Sequence, residues 1–387
     1  ARIGQNGVVQ QLDHYQSDVR QGFIRAMAYS SKSENGKAKA SDTTYASRLC
    51  TSCSQPNRFN ADCSGIDCNR SEGKVLILAT VHDTFPRPSA QKYFWLSFAD
   101  LETAAAFRAQ VALHNPKDLP ISMEYLDRDS FDVIDRAGRA LATMIKFLGP
   151  FSSVVSQLWA FKLRVEALPF EGAPLWVDKL LHTTNFLFPS TLPKRLMEAG
   201  KEMDHHVSLQ IGEFGDDNMS RFLDRMQAFT RSHGPSKVVV HECAQSEAAS
   251  LTAFRFVAAP AFRTWCVGEG VQGFSVDYAL PNEFAGNPPP LAQKPLRRMR
   301  YSHFGCNVVH EDLAFSKGVD TKKAKMELKG SVERNCHGKL PAEHGHGIEY
   351  HAPPETQERW RAMDPLNVMN PGIGGLSAGY KYEQTSN

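Results

Sequence analysis

The sequence lacks several features that mark common classes of protein. No uninterrupted apolar run reaches the roughly 18 residues that a membrane-spanning helix needs. The Gly-rich nucleotide loops of the Rossmann and P-loop types are absent, and so is the Gly-x-Ser-x-Gly stretch of α/β hydrolases. The net charge is only +2, which argues against a dedicated nucleic-acid binder. Affinity for a membrane or an anion must therefore come from local groups of residues.

Cysteine is also scarce, with eight residues in a chain of 387. That density is too low for a disulfide scaffold and favours a reducing compartment. Four cysteines fall close together and could hold a structural zinc ion: Cys50, Cys53, Cys63 and Cys68. We favour reduced thiols without a metal, because the spacing of the second pair does not match the first.

The length predicts two or three domains, and a hydrophobic content of 42% allows a large core. The chain opens on Ala1 and Arg2, without an initiating Met and without a secretory signal. We therefore expect processing or truncation upstream of Ala1.

Short apolar segments alternate with a helical segment in the first third of the chain. Residues 74–81 form an apolar, β-branched run that predicts a buried strand, and residues 93–98 and 121–126 predict two more. Asp100 is placed to cap a helix that continues to about residue 113. This rhythm predicts an α+β fold in which helices back an antiparallel sheet.

Residues 142–203 have a different composition. Apolar and aromatic residues, Trp159 and Trp176 among them, are interleaved with Lys and Arg and interrupted by Pro and Gly. Several short amphipathic helices lying in a membrane interface would give this pattern, and so would the buried core of a domain. A Pro-rich linker at 283–300 ends in four basic residues that are expected to add attraction to an anionic membrane: Lys294, Arg297, Arg298 and Arg300.

Two groups of residues in the last third could carry proton or metal chemistry. Glu343 and His344 are adjacent and flanked by small residues, which suits proton transfer or metal binding, although a solvated loop would look the same. His303 and His310 lie seven residues apart in a strand-like segment. On a helix this spacing would put both on one face, whereas on a strand it would send them to opposite faces unless a bulge at Gly305 realigned them. A lone pair of histidines is more often structural than catalytic.

These residues resemble one family of flavoproteins. The stretch Ser71-Glu72-Gly73-Lys74-Val75 resembles the one that closes the flavin domain in the vanillyl-alcohol-oxidase type. The remaining motifs occur in the order found in the D-2-hydroxy-acid dehydrogenase branch: His303, His310, Glu343, His344 and Asn370. From about residue 62 onward the chain looks most like the respiratory quinone-dependent D-lactate dehydrogenases with a membrane-binding cap.

The resemblance implies a domain order. Residues 1–88 would be the end of an FAD-binding domain of the vanillyl-alcohol-oxidase type, 89–335 a cap whose insert at 142–203 binds the membrane, and 336–387 a return to the flavin. The Gly-rich pyrophosphate loops of the family precede everything seen in this sequence, so we expect this polypeptide alone to hold FAD poorly. No basic residue directly follows Leu280 and Pro281, where relatives often carry one for the substrate carboxylate.

The resemblance also implies roles for single residues. His344 would be the base, poised by Glu343, and Arg255 would bind the substrate carboxylate, unless it is an ordinary arginine on a helix surface. The flavin would be contacted by Ser71, Glu72, Gly73 and Asn370. A divalent metal would be held by His303, His310 and Glu343.

The implied reaction is FAD-dependent oxidation of D-lactate to pyruvate, with electrons passed to a quinone. Another D-2-hydroxy acid, such as glycolate or 2-hydroxyglutarate, is an open alternative, and so is a non-catalytic membrane-binding fragment. The expected partners are D-lactate, a quinone and an anionic membrane surface, with no nucleic acid. The expected location is peripheral, on the reducing, cytoplasmic-type side of a membrane.

Overall fold

The computed structural model of the protein describes residues 2–3, 9–10, 44–58, 70–77, 86–149 and 152–383. The chain folds as two compact units. The smaller unit comprises Ala1–Tyr45, Arg58–Pro86 and Leu340–Asn387, and the larger unit comprises Ala46–Asn57 and Arg87–Lys339. The cysteines Cys63 and Cys68 lie outside the described residues, so the zinc alternative stays a prediction.

A seven-stranded antiparallel sheet is the centre of the larger unit. In chain order the strands of the whole protein are β1 (Arg2–Ile3), β2 (Val9–Gln10), β3 (Ala90–Phe98), β4 (Ser122–Asp127), β5 (His205–Glu213), β6 (Val238–Cys243), β7 (Gln272–Ala279), β8 (Arg297–His303) and β9 (Val308–Phe315). The sheet order is β6-β3-β5-β4-β8-β9-β7, and β1 pairs with β2 in the smaller unit.

Most helices belong to the larger unit, where they flank this sheet, and α12 belongs to the smaller unit. In chain order they are α1 (Tyr45–Leu49), α2 (Leu101–Phe107), α3 (Arg128–Ala137), α4 (Arg139–Leu148), α5 (Ser153–Glu166), α6 (Ala173–Thr184), α7 (Lys194–Glu202), α8 (Asn218–His233), α9 (Ala248–Phe256), α10 (Ala258–Glu269), α11 (Thr321–Cys336) and α12 (Pro354–Met363). The predicted α+β class with a helix-backed antiparallel sheet is confirmed.

Both faces of the sheet are buried, which explains why β3 reads as an almost continuous apolar run. Trp95 points to one face and packs against Phe131 of α3 and Phe254 of α9. Phe98 points to the other face and packs against Phe107 of α2. Successive side chains of a strand alternate between faces, so one apolar segment supplies two cores.

The predicted cap of α2 is confirmed. The Asp100 side chain accepts a hydrogen bond from the backbone N–H of Thr103 at 2.8 Å, which satisfies one of the free donors of the first turn. The helix then widens into a π-helical turn at Arg108–Ala112, close to the predicted end.

The strand predicted for residues 74–81 is wrong for its described part. Residues 70–77 form turns and irregular backbone, while residues 78–81 lie outside the described residues. Lys74 is fully buried, and its Nζ donates to Asn367 Oδ1 at 2.7 Å and to Asp364 Oδ2 at 3.2 Å. Side-chain contacts of a buried lysine, and not strand pairing, therefore fix this stretch in the smaller unit.

The core of the smaller unit is built around Trp360 of α12. Its indole N–H donates to the backbone oxygen of Arg70, and its ring packs against a small group of buried residues: Val75, Ala352, Met363, Ile373 and Leu376. Gly374, with φ +60°, lies so close that a Cβ would be 2.4 Å from the indole ring, so only glycine fits there.

A buried histidine makes the stability of the larger unit sensitive to acid. His206 is fully buried, stacks on Trp95 and shares a hydrogen bond with Ser97. Burial lowers its pKa from 6.5 to about 3. The unfolded chain therefore binds this proton more readily below pH 6.5, and stability present above that pH is lost as the pH falls towards 3.

We expect this one group to remove roughly 3 kcal/mol from the free energy of unfolding of the larger unit between pH 7 and pH 4. His206→Asn should reduce that pH-dependent loss, because asparagine carries no titrating proton. Urea unfolding at both pH values measures it, with His337→Asn at an exposed position as the control. An equal acid loss in the His206 variant and the unmodified protein would contradict the assignment.

Candidate functional site

In the smaller unit, a carboxylate organises the loop that carries the predicted base. Glu72 accepts hydrogen bonds from the backbone N–H of His346 at 2.8 Å and shares one with the His346 ring at 2.7 Å. His346 is itself buried. A Cβ at Gly345 would lie 2.5 Å from Glu72 Oε2, so a residue without a side chain is needed for the carboxylate to reach the loop.

The two segments predicted to contact the flavin are joined to each other. The Asn370 amide donates to the backbone oxygen of Glu72 at 2.5 Å, and the backbone of Gly73, at φ +86°, packs against the same amide. Ser71 is buried, and its backbone oxygen accepts from the N–H of Lys74. Ser71 and Gly73 therefore shape the backbone, whereas Glu72 and Asn370 reach an open surface.

That surface is an open cavity of about 500 Å³ in the smaller unit. It brings together three of the predicted residues, Glu72, His344 and Asn370, with His346 and Tyr350. The His344 side chain is exposed there. An accessible imidazole in a concave wall is the arrangement that proton transfer to or from a small ligand requires.

Glu343 was predicted to poise His344, and that partnership stays a prediction. Glu343 Oε1 forms an ion pair with Arg58 Nη2 at 3.1 Å. A second carboxylate, Glu72, binds His346 of the same loop. Sequence reasoning missed this pair, although His346 stands only two residues beyond His344 and Glu72 lies in a motif already singled out.

In the larger unit, His303 and His310 lie on adjacent strands. Residue 303 ends β8, a turn follows, and β9 carries residue 310, so the expected single strand with a bulge at Gly305 is wrong. Asn307 takes φ +54° in this turn. Tyr301 pairs directly with His310, which makes His303 and His310 diagonal neighbours on one face. Their ring centroids are 5.4 Å apart.

Glu124 of β4 connects His303 to the predicted substrate arginine. Its Oε1 lies 2.9 Å from His303 Nδ1, and its Oε2 lies 3.0 Å from Arg255 Nε. Arg255 also covers the ring of Tyr301, with the guanidinium carbon 4.7 Å from the ring centroid. Its side chain is only 15% exposed, so the alternative of an ordinary surface arginine is wrong.

Charges behind this cluster are buried and paired. Glu311 of β9 is fully buried, forms ion pairs with Arg298 and with Arg300, and accepts from the Tyr278 hydroxyl at 2.7 Å. Arg297 forms an ion pair with Asp129 at 2.8 Å. Arg298 and Arg300 share the single charge of Glu311, so these ion pairs offset only part of the positive charge, and the attraction to an anionic membrane stays a prediction.

The neighbouring Asp312 is buried as well. Burial raises its pKa to about 6, and the Tyr301 hydroxyl donates to it at 2.9 Å. The ring of Tyr301 stacks on His310, with centroids 5.3 Å apart. The orientation of His310 is thus fixed by a tyrosine that is itself hydrogen-bonded within the core.

A group of exposed apolar side chains covers the helices α4 to α6 and the segment after them. Fourteen large apolar residues in this region are each at least 41% exposed: Phe147, Leu148, Val154, Leu158, Trp159, Phe161, Leu163, Leu168, Phe170, Leu175, Trp176, Leu180, Phe186 and Leu187. We call them the apolar surface. The alternative that these residues form a buried core is wrong. Among the described residues, no helix is long and apolar enough to cross a bilayer.

Fold and surface together define an α+β protein whose helical insert presents an apolar face. Residues 93–382, about three quarters of the chain, match the family described as D-lactate dehydrogenase, membrane binding, and the chain belongs to that family.

The chain is also similar to three curated proteins, each described as a quinone-dependent D-lactate dehydrogenase. That of Corynebacterium glutamicum is 28% identical over 87% of this chain and 60% of its own length. Those of Haemophilus influenzae and Escherichia coli are 28% identical over 82% and 83% of this chain, and 57% of their own length. The chain thus spans less than two thirds of these relatives. A 4-ethylphenol oxidase structure from Gulosibacter chungangensis aligns with a TM-score of only 0.40 at 10% identity, covering 75% of this chain and 55% of its own.

Proposed function

We propose that the complete gene product oxidises D-lactate to pyruvate with FAD and passes the electrons to a quinone. The names of the three relatives support D-lactate as the substrate and a quinone as the acceptor. The observation that carries the proposal is the family match over residues 93–382. The open cavity with an exposed imidazole supports it, because oxidation of a hydroxy acid needs a proton acceptor beside the substrate.

The residues of the smaller unit fit the ring system of FAD. The cavity volume lies within the range of cofactor sites. The loop at Gly345 and Gly347 presents backbone without side chains, and an added Cβ at Gly347 would meet nothing within 4 Å. Glu72 and Asn370 would lie against the cofactor, with Ser71 and Gly73 holding their backbone. FAD, when bound, supplies the acceptor for the hydride that leaves the substrate Cα.

In this proposal His344 takes the proton of the substrate hydroxyl as the Cα–H bond breaks, which leaves pyruvate. Glu72 and His346 keep the loop in place, so the imidazole is held at the cavity wall. Arg255 would bind the substrate carboxylate, and its ion pair with Glu124 would hold the guanidinium in one orientation.

The reaction is tested with the complete gene product and a panel of D-lactate, glycolate and D-2-hydroxyglutarate, using ferricyanide as a soluble electron acceptor. We expect kcat/KM for D-lactate to exceed the others at least tenfold. A higher kcat/KM for another of the three acids would make that acid the substrate in place of D-lactate. Absence of activity with all three would favour the alternative of a non-catalytic membrane-binding protein.

We also propose that His303 and His310 are ligands of a divalent metal that polarises the substrate hydroxyl. Two neighbouring imidazoles, one fixed by Glu124 and the other by Tyr301, suit a transition metal whose ligands are oriented by surrounding groups. Glu343, the third ligand predicted from the sequence, belongs to the smaller unit, and its role remains a prediction.

His310→Ala is expected to lower both the bound metal and kcat/KM for D-lactate by at least tenfold, since it removes a ligand. Glu124→Gln should lower activity about tenfold by loosening the His303 ring. Elemental analysis and turnover measure the two effects, with His337→Ala as the control. A fully active enzyme that contains no metal and ignores chelators would remove the metal from the proposal.

The apolar surface is proposed to lie in the interface of a membrane on its reducing side. Exposed apolar patches of this size mark interaction sites, and exposed Lys146, Arg164 and Lys179 stand between the apolar residues. These lysine and arginine side chains would favour anionic lipids, and salt would weaken that contribution.

Replacing Phe161 and Phe170 with serine is expected to weaken co-sedimentation with vesicles of anionic lipid at least tenfold. Each phenylalanine contributes roughly 2 kcal/mol when buried in an apolar phase. The matched control replaces Phe214 and Phe256, which are similarly exposed elsewhere in the larger unit. Negligible binding of the unmodified protein to anionic and neutral vesicles alike at low salt would contradict the membrane proposal.

A further inference from the structure

An apolar cavity lies inside the helical region of the larger unit. It has a volume of about 270 Å³ and is lined mainly by helices α4, α5, α6 and α10. Its walls are mainly aliphatic and aromatic side chains: Leu141, Met144, Leu158, Trp159, Leu181 and Ala261. A cavity with such walls offers water too few hydrogen-bond partners, so it suits a hydrocarbon ligand.

The few polar groups at this cavity form ion pairs and hydrogen bonds with one another. Lys162 Nζ lies 2.7 Å from Asp178 Oδ2 and 2.5 Å from Glu166 Oε1. The Thr264 hydroxyl donates to Asp178 Oδ1 at 2.9 Å, and Arg263 Nε lies 3.0 Å from Asp178 Oδ2. The charged groups of this network are paired with one another. The cavity therefore suits an apolar chain better than a polar headgroup.

The cavity is continuous with the apolar surface. Leu158 and Trp159 line its wall and are nevertheless 44% and 47% exposed, so the same side chains face the cavity and the exterior. If the apolar surface lies in the bilayer interface, a chain could pass from the lipid into the cavity without crossing water.

We propose that this cavity binds the isoprenoid tail of the quinone that accepts the electrons. The inference rests on the proposed function, which supplies a quinone as partner. A cavity of roughly 150 Å³ holds one benzene molecule, so 270 Å³ accommodates about ten carbon atoms, or two isoprene units. The tail would hold the quinone at the protein while its ring stays outside this apolar space.

Filling the cavity tests the inference. Ala140 lines it and is buried, so Ala140→Phe would occupy part of its volume. With the complete gene product and D-lactate, we expect the ratio of KM for ubiquinone-2, which has two isoprene units, to KM for tail-less ubiquinone-0 to rise at least tenfold. Ser156→Phe, at an exposed position of α5 outside the cavity, should leave that ratio unchanged.

An unchanged ratio in a folded, active Ala140 variant would overturn the inference. Mass spectrometry that finds phospholipid retained in the cavity and not displaced by ubiquinone-2 would also overturn the inference and assign the cavity to an acyl chain.

Should Ala140→Phe not fold, quenching of Trp159 fluorescence provides the second test. Ubiquinone-2 should quench this fluorescence far more strongly than ubiquinone-0, and Trp159→Phe should remove the difference. Equal quenching by ubiquinone-2 and ubiquinone-0 would contradict binding of the isoprenoid tail in the cavity. Lack of D-lactate-dependent ferricyanide reduction by the unmodified protein would instead overturn the proposed function.

Discussion

His344→Ala in the complete gene product is expected to lower kcat for D-lactate by about 10³-fold while the flavin stays bound. A positioned general base contributes roughly 10²- to 10⁴-fold to such a reaction, and the exposed imidazole is not part of the core. Turnover with a soluble acceptor and the flavin absorbance of the purified protein give the two measurements.

The control is His351→Ala, an exposed histidine of the same unit that does not line the cavity. It should retain activity. An unchanged kcat of the His344 variant at every pH would remove the base from the proposal. Loss of flavin along with activity would make His344 part of the cofactor site and leave the proton acceptor unassigned.

Asp364→Asn is expected to destabilise the smaller unit by about 3 to 5 kcal/mol. Lys74 and Asp364 are both fully buried, so removing one charge leaves the other without compensation. Burial lowers the pKa of Lys74, and the contact with Asp364 opposes that shift. Asp364 also accepts from the backbone N–H groups of Val368 and Met369, and asparagine can still accept at one oxygen.

Hydrogen exchange resolved by peptide is the suitable measurement, because a chain of two units need not unfold in one step. Exchange should accelerate in residues 352–376 and not in the strands of the larger unit. Adding Lys74→Met to Asp364→Asn should restore much of the protection, since no buried charge then remains. Faster exchange in the double variant than in the single one would contradict this account.

The sequence predicted those parts of the fold that depend on local pattern. The apolar segments around Trp95 and Tyr125 and the cap at Asp100 became strands and a helix start, because burial and capping act over a few residues. The turn at Gly305 was misjudged. A loop of four residues containing Gly and Asn between two strand-like segments is also a hairpin signal, and only the pairing partner decides between the two interpretations.

The contacts of polar residues were harder to predict from the sequence, since their partners are distant along the chain. Arg298 and Arg300 read as part of a basic run, and spacing alone does not reveal that both form ion pairs with Glu311 on the neighbouring strand. Lys74 looks like one polar position in an apolar strand, although its partners are Asp364 and Asn367. Composition records such charges but carries no information on which of them neutralise each other.

The smaller unit is assembled from both sides of a long insertion, and this sets the order of events during synthesis. The partners Lys74 and Asp364 are 290 residues apart in the chain. At roughly 5 to 20 residues per second, a ribosome needs about 15 to 60 seconds to make the second after the first. Throughout that time the larger unit can fold. Lys74, which is buried in the folded protein, stays hydrated until Asp364 has been synthesised.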